Sequence, residues 1–239
     1  MSEYQIAIET IGKTGSLAIL KDETVVSTRQ LPSDRRTAAV LAVSLDQLLG
    51  ELRHSGISLN SVSVAVGPGS FTGIRIGVTA AKMLAYALGL PIFPVGSLAA
   101  LAINADPAGG PRSSASVAVA INAYRGQVYA ATFTAEELGA TNPSAWENRA
   151  EVLSKGDWQD RVAKIAAAGP VALVGDREMM PDGQRQLFCN SAVPPAIGVG
   201  RIASRMRSEL GADAAGTDPF AVLPRYLKPS AAEEKASTR

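Results

Sequence analysis

Histidine and cysteine are almost absent from this chain of 239 residues, which carries one of each, His54 and Cys189. A single cysteine excludes a disulfide framework and fits a reducing compartment. A single histidine excludes a zinc site built on paired histidines. It also leaves a serine or cysteine hydrolase only His54 as its base. His54 stands in Leu52-Arg53-His54-Ser55-Gly56, which reads as a helix C-terminus. A cation there suits the helix dipole, and Gly56 suits the stop. Neither His54 nor Cys189 lies in a recognisable catalytic context. Charge of one sign is lacking too: Lys+Arg number 23 and Asp+Glu 22, a net charge of +1. That is no electrostatic footprint for gripping nucleic acid. No apolar run approaches the roughly 20 residues of a membrane span. The opening Met1-Ser2-Glu3-Tyr4-Gln5 lacks the basic and apolar regions of a signal peptide. The expectation is a cytoplasmic protein with no membrane contact.

The rest of the composition is ordinary for a globular protein, with 46% hydrophobic and 19% charged residues. The length suffices for one large domain or two small lobes. Residues 4–11, 16–20 and 24–30 read as strands joined by turns at 12–15 and 21–23, an antiparallel meander. Ser33 or Asp34 then caps an amphipathic helix whose apolar positions include Leu41, Leu45, Leu48 and Leu52. A strand at 61–66 leads through a glycine loop into a helix at 73–88, stopped by Gly89 and Pro91. A strand at 91–95 and a helix at 98–104, capped by Ser97, complete the first half. Residues 105–112 are rich in Gly and Pro and read as a linker. Strands at 116–121 and 127–133 follow, around a turn at 122–126. The stretch 134–158 is polar and weakly patterned. A helix at 161–168, a strand at 171–174 and a helix at 197–210 come next. The tail after Lys228 reads as mobile. The expected architecture is α/β, with mixed sheets covered by helices in two lobes, 1–107 and 108–239.

The glycine loop, Val66-Gly67-Pro68-Gly69-Ser70-Phe71-Thr72-Gly73, lies between a strand and a helix, where phosphates often bind. Its spacing fails both common nucleotide motifs. A P-loop needs Lys after its last glycine, but Ile74 follows Gly73 and the nearest lysine downstream is Lys82. A dinucleotide fingerprint needs its third glycine one place earlier than Gly73. The plainer reading is a sharp turn into the helix, with Thr72 as cap. Gly73, Gly77 and Ala81 then form a stripe almost without side chains, flanked by Ile74 and Val78. Glycine inside a helix costs about 0.5–1 kcal/mol relative to alanine. Close approach of another backbone would offset that cost, from the adjoining sheet or from a partner's helix.

The run from Val64 through Gly67-Pro68-Gly69-Ser70-Phe71-Thr72-Gly73-Ile74-Arg75-Ile76-Gly77 resembles the TsaB (YeaZ) family. So do Leu88-Gly89-Leu90-Pro91, Val95-Gly96-Ser97-Leu98, Asn122-Ala123-Tyr124-Arg125-Gly126 and Pro224-Arg225-Tyr226-Leu227-Lys228. The match is dense over about residues 5–133 and thin from there to Pro224. The resemblance implies a two-lobed actin-like, Hsp70-like and sugar-kinase-like fold. It implies a scaffold rather than an enzyme, with no catalytic residue and no metal. Its partners would be TsaD, which transfers threonylcarbamoyl to the N6 of the tRNA adenosine beside the anticodon, and TsaE. tRNA would be reached only through that complex. No cofactor is expected on this chain alone, with ATP or ADP placed at the boundary with a partner subunit. Members also form homodimers through the helix after the glycine loop. That marks Gly69, Phe71, Thr72, Gly73, Ile74, Arg75, Gly77, Val78, Ala81 and Lys82 as interface residues.

The chain departs from the family where Asp is usual: Glu9 stands in the first strand and Asn122 begins a turn. Tyr124 stands where Arg is common, and Leu31-Pro32-Ser33-Asp34 replaces a frequent His-Ser pair. These changes tell against nucleotide binding by the chain alone. Two alternatives stay open on sequence: a free-standing nucleotide-binding enzyme of the sugar-kinase type, and a peptidase. His54 alone cannot supply the paired histidines of the metal motif in TsaD-like proteins.

Overall fold

Alternating apolar residues joined by short turns dictate the first three strands: β1 (Tyr4–Glu9), β2 (Ser16–Lys21) and β3 (Thr24–Gln30). They pair antiparallel in sequence order, as the meander pattern predicts. The structure is a computed structural model that describes residues 3–12, 14–32, 37–105, 116–139, 146, 149–183, 194–210 and 216–229. The cap at Ser33 or Asp34, the linker from residue 106 to 112, Cys189 and the tail from residue 230 lie outside the described residues.

Helix α1 (Thr37–His54) buries Leu41, Leu45, Leu48 and Leu52 on one face. Strand β4 (Ser61–Gly67) is buried along its whole length and pairs parallel with β1. Helix α2 (Phe71–Leu88) ends at Gly89, whose φ of 64° is the left-handed cap that glycine adopts without strain. Strand β5 (Ile92–Gly96) pairs parallel with β4, giving a first sheet in the order β3-β2-β1-β4-β5. Helix α3 (Ser97–Ile103) follows directly.

The second sheet repeats this plan. Strand β6 (Ser116–Asn122) pairs antiparallel with β7 (Gln127–Thr134), and β7 pairs antiparallel with β8 (Glu151–Ser154). Strand β9 (Val171–Gly175) joins β6 in parallel, so the order is β8-β7-β6-β9. Between them lie α4 (Ala135–Gly139) and α5 (Lys155–Ala168). The polar stretch 134–158 therefore holds α4, β8 and the start of α5, capped by the Ser154 hydroxyl accepting from the Asp157 amide. Most of α5 faces solvent and only Trp158 and Val162 are buried, so little apolar periodicity marks it.

Helix α6 (Pro195–Leu210) packs on β1, β2 and β4 of the first sheet and on α3. Gln5 fixes it there: its buried amide donates to the Gly200 carbonyl at 2.9 Å and the Ser204 hydroxyl at 2.5 Å. The Ser63 hydroxyl donates to the other end of Gln5 at 3.0 Å. Side chains alternate across a strand, so Gln5 and Glu9 face the α6 side of the first sheet. The main core joins Ile6, Ile8 and Val64 of the first sheet to Val119, Ala131 and Phe133 of the second.

Candidate functional site

The glycine loop turns sharply into α2. Gly67 and Gly69 have φ of 115° and 152°, and the Gly67–Pro68 peptide is cis. The cap of α2 is Ser70, not Thr72: the Ser70 hydroxyl accepts from the Gly73 amide at 3.2 Å. The helix begins two residues before the expected start, because the loop has already reversed the chain at Gly69. Ser97 likewise does not cap α3; it is the first helical residue, and Gly96 precedes it.

The bare stripe of α2 lies against Thr10, the residue that follows β1. A Cβ at Gly73 would stand 2.1 Å from the Thr10 carbonyl oxygen. One at Gly77 would stand 2.3 Å from Thr10 Oγ1. The Thr10 hydroxyl donates to the Gly73 carbonyl at 2.7 Å. Gly73, Ile74, Gly77, Val78 and Ala81, all among the expected interface residues, are buried in the single chain. Helix α2 needs glycine at positions 73 and 77 to approach Thr10 this closely.

The outer face of α2 meets the segment 216–229. Phe71 stacks on Tyr226 with ring centroids 4.3 Å apart. The Arg75 guanidinium lies 4.2 Å from the Phe71 centroid and donates to the Tyr226 hydroxyl at 3.0 Å. Lys82 donates to the carbonyls of Phe220 and Val222 at 3.3 and 3.0 Å. Arg75 and Lys82 thus hold their own chain's C-terminal segment. Thr72 is exposed, and Gly69 and Phe71 are half-buried. Beside them Met83, Tyr86, Phe220 and Leu223 are 64%, 66%, 66% and 71% exposed and form an apolar surface. The edge-on pair Tyr86–Phe220, 5.4 Å between centroids, ties helix and segment into one face. Sequence reading missed Met83, Tyr86, Phe220 and Leu223, although apolar residues on the helix face opposite the glycines were a usable signal.

A cavity of about 550 Å³ opens between the lobes. Glu9, Ser97 and Ser70 line it from the first lobe, and Asn122, Asp176 and Glu178 from the second. Glu9 is buried; its Oε1 accepts from the amides of Ile11 and Gly12 at 2.5 and 2.8 Å. Burial pushes the Glu9 carboxyl up, against the two amide bonds that pull it down. Asn122 is held by two acids of its own lobe: its amide N–H donates to Asp176 Oδ2 at 2.8 Å and its Nδ2 to Glu178 Oε1 at 3.2 Å. Sequence reading singled out Glu9 and Asn122 but not Asp176 or Glu178, which only the fold brings there. Among the described residues, no group of three His, Cys, Asp or Glu side chains could hold a metal ion. No helix among them is long and apolar enough to cross a membrane. His54 Nδ1 lies 2.7 Å from the Gly50 carbonyl oxygen at the end of α1, as the cap reading expects.

A family model described as TsaD: tRNA N6-adenosine threonylcarbamoyltransferase matches residues 32–180. The tRNA threonylcarbamoyladenosine biosynthesis protein TsaB of Bacillus subtilis (strain 168) is 38% identical over 126 residues, 52% of this chain and 52% of that protein. TsaB of Escherichia coli (strain K12) is 35% identical over 137 residues, 56% of each chain. The chain thus spans about half the length of the curated relatives it matches. The solved structure of YeaZ from Pseudomonas aeruginosa aligns with a TM-score of 0.68 at 25% identity, covering 94% of this chain and 100% of that one. ROK hexokinase from Thermus thermophilus aligns with a TM-score of 0.51 at 11% identity, covering 87% and 100%, a likeness of fold alone. The two-lobed, sugar-kinase-like α/β fold expected from the sequence is the one observed.

Proposed function

The chain belongs to the TsaB (YeaZ) family, and from that premise we propose that it serves threonylcarbamoyladenosine formation on tRNA as a non-catalytic scaffold that pairs with TsaD and activates it. The observation that carries the pairing is the exposed apolar face of Met83, Tyr86, Phe220 and Leu223. Exposed aromatics and methionine beside polar neighbours are the composition of an interface core. In this reading TsaE joins the pair and tRNA is reached only through the assembly, in the cytoplasm. ATP or ADP would sit at the boundary with a partner subunit. In the absence of TsaD, the same face would close a homodimer. The near-neutral charge of +1 supports delegating the tRNA to a partner.

Reconstituted tRNA modification with and without this chain tests the role, and co-purification with TsaD tests the pairing. Joint replacement Met83→Glu and Tyr86→Ala should weaken TsaD binding at least about tenfold while circular dichroism stays unchanged. Equal affinity of variant and parent would remove this face from the interface. Failure to associate with TsaD, together with full modification in its absence, would end the scaffold reading. The cavity between the lobes keeps a second reading in play, an ATP-using enzyme of the sugar-kinase type. It requires ATP turnover by the isolated chain. A peptidase gains nothing from His54, whose ring is bonded to the Gly50 carbonyl.

A further inference from the structure

Two deeply buried polar atoms without a hydrogen-bond partner among the described residues belong to residues that line the cavity between the lobes. They are Glu9 Oε2 and Ser97 Oγ, on residues that are each 4% exposed. Buried polar groups are nearly always bonded, so an unbonded pair beside one cavity calls for a ligand that completes them. The Glu9 carboxyl is built to stay in place, because the amides of Ile11 and Gly12 hold its other oxygen. That leaves Oε2 as the acceptor for an incoming donor.

The chemistry of the walls selects the donor. Among the described lining residues are three carboxyl groups, Glu9, Asp176 and Glu178, and no lysine or arginine. Such a wall attracts a cation and repels phosphate. The acids are not gathered into a metal site. Leu101 and Ile121 add apolar surface suited to a short hydrocarbon chain. We propose that this cleft binds a small aliphatic primary amine, its ammonium donating to Glu9 Oε2 with Ser97 Oγ as a further acceptor and Asp176 and Glu178 facing it from the other lobe. An ammonium has three donors and no acceptor, which matches a site offering acceptors. The inference concerns the cleft, not the outer face of α2, and stands whether or not the chain pairs with TsaD.

Calorimetric and thermal-shift titrations of the full chain with putrescine, ethanolamine and methylamine test it. Butane-1,4-diol serves as an uncharged counterpart and ATP as a phosphate. The ATP arm also covers Lys13, which lies between the lining residues Gly12 and Thr14 but outside the described residues. At least one amine should bind saturably. Glu9→Gln should weaken it about ten- to hundredfold, the loss expected for a hydrogen bond to a charged group. Ser97→Ala and Glu178→Gln should weaken it by smaller factors of about two to ten. Glu178 is exposed, so its variant keeps the test decisive should Glu9→Gln not fold. The proposal is overturned by no amine binding up to about 10 mM, a concentration already far into the weak regime. It is equally overturned by diol or ATP binding more tightly than every amine, or by amine affinity unchanged across the folded variants.

Discussion

Glu9 shows how one residue can oppose the fold it belongs to. Its carboxyl is buried, and that desolvation outweighs the two amide hydrogen bonds that favour its charge. The folded-state pKa therefore lies above the ordinary carboxyl value of 4.5. Between 4.5 and the folded pKa the unfolded chain has lost its proton while the folded chain still holds one. Stability from this group is present at low pH and declines as pH rises toward the folded pKa, then levels off. Urea unfolding of parent and Glu9→Gln between pH 4 and pH 8 checks this. The variant should gain on the parent as pH rises through the window that opens at 4.5. A difference independent of pH would mean that Glu9 titrates alike in the folded and the unfolded chain. The sequence marked Glu9 as a departure from its relatives, but not the cavity it lines together with Ser97, Asp176 and Pro195, far along the chain.

Helix α2 shows where sequence reading stops. The bare stripe Gly73-Gly77-Ala81 was legible, because the spacing of a helix fixes which residues share a face. What the stripe faces was not legible: Thr10 is 63 residues from Gly73 in sequence. Spacing alone left the stripe open to the adjoining sheet or to a partner's helix, and within the chain it packs on Thr10. The same limit hid the segment 216–229, since the Arg75–Tyr226 bond spans 151 residues. A pair of substitutions tests the packing. Gly77→Ala places its Cβ 2.3 Å from Thr10 Oγ1 and should cost about 1–3 kcal/mol by overpacking. Adding Thr10→Ala removes that oxygen and leaves the Thr10 Cβ 3.6 Å away, an ordinary contact, so part of the loss should return. At Gly73 no such rescue is available, because the obstacle is the Thr10 backbone carbonyl at 2.1 Å. Urea midpoints of the two single variants and the double variant read the coupling. Purely additive losses would mean that the stripe does not rest on Thr10.

At the scale of the molecule, the two sheets share a plan: an antiparallel trio extended by a parallel strand. The meanders and their turns were readable from local pattern, whereas the parallel pairings β1–β4 and β6–β9 join distant segments and were not. Repetition alone would allow each lobe to unfold by itself. The core argues otherwise, because Ile8 and Val64 belong to the same buried cluster as Val119 and Phe133. Helix α3 packs on both sheets, against β4 and β5 on one side and β6, β7 and β9 on the other. Lys228 adds a tie, donating to the Ala123 carbonyl at 3.0 Å from a segment whose Arg225 amide bonds to Val66 at 2.7 Å. The two tryptophans report on different parts of this structure. Trp146 belongs to the shared core, and Trp158 to a separate cluster under α5 with Val128, Val162 and Leu173. If the lobes are one cooperative unit, Trp146→Phe and Trp158→Phe variants should show fluorescence transitions that coincide with their own far-ultraviolet circular dichroism in urea. A Trp158 signal that melts ahead of the dichroism would instead make the second sheet an independent folding unit, joined to the first by contacts too weak to couple them.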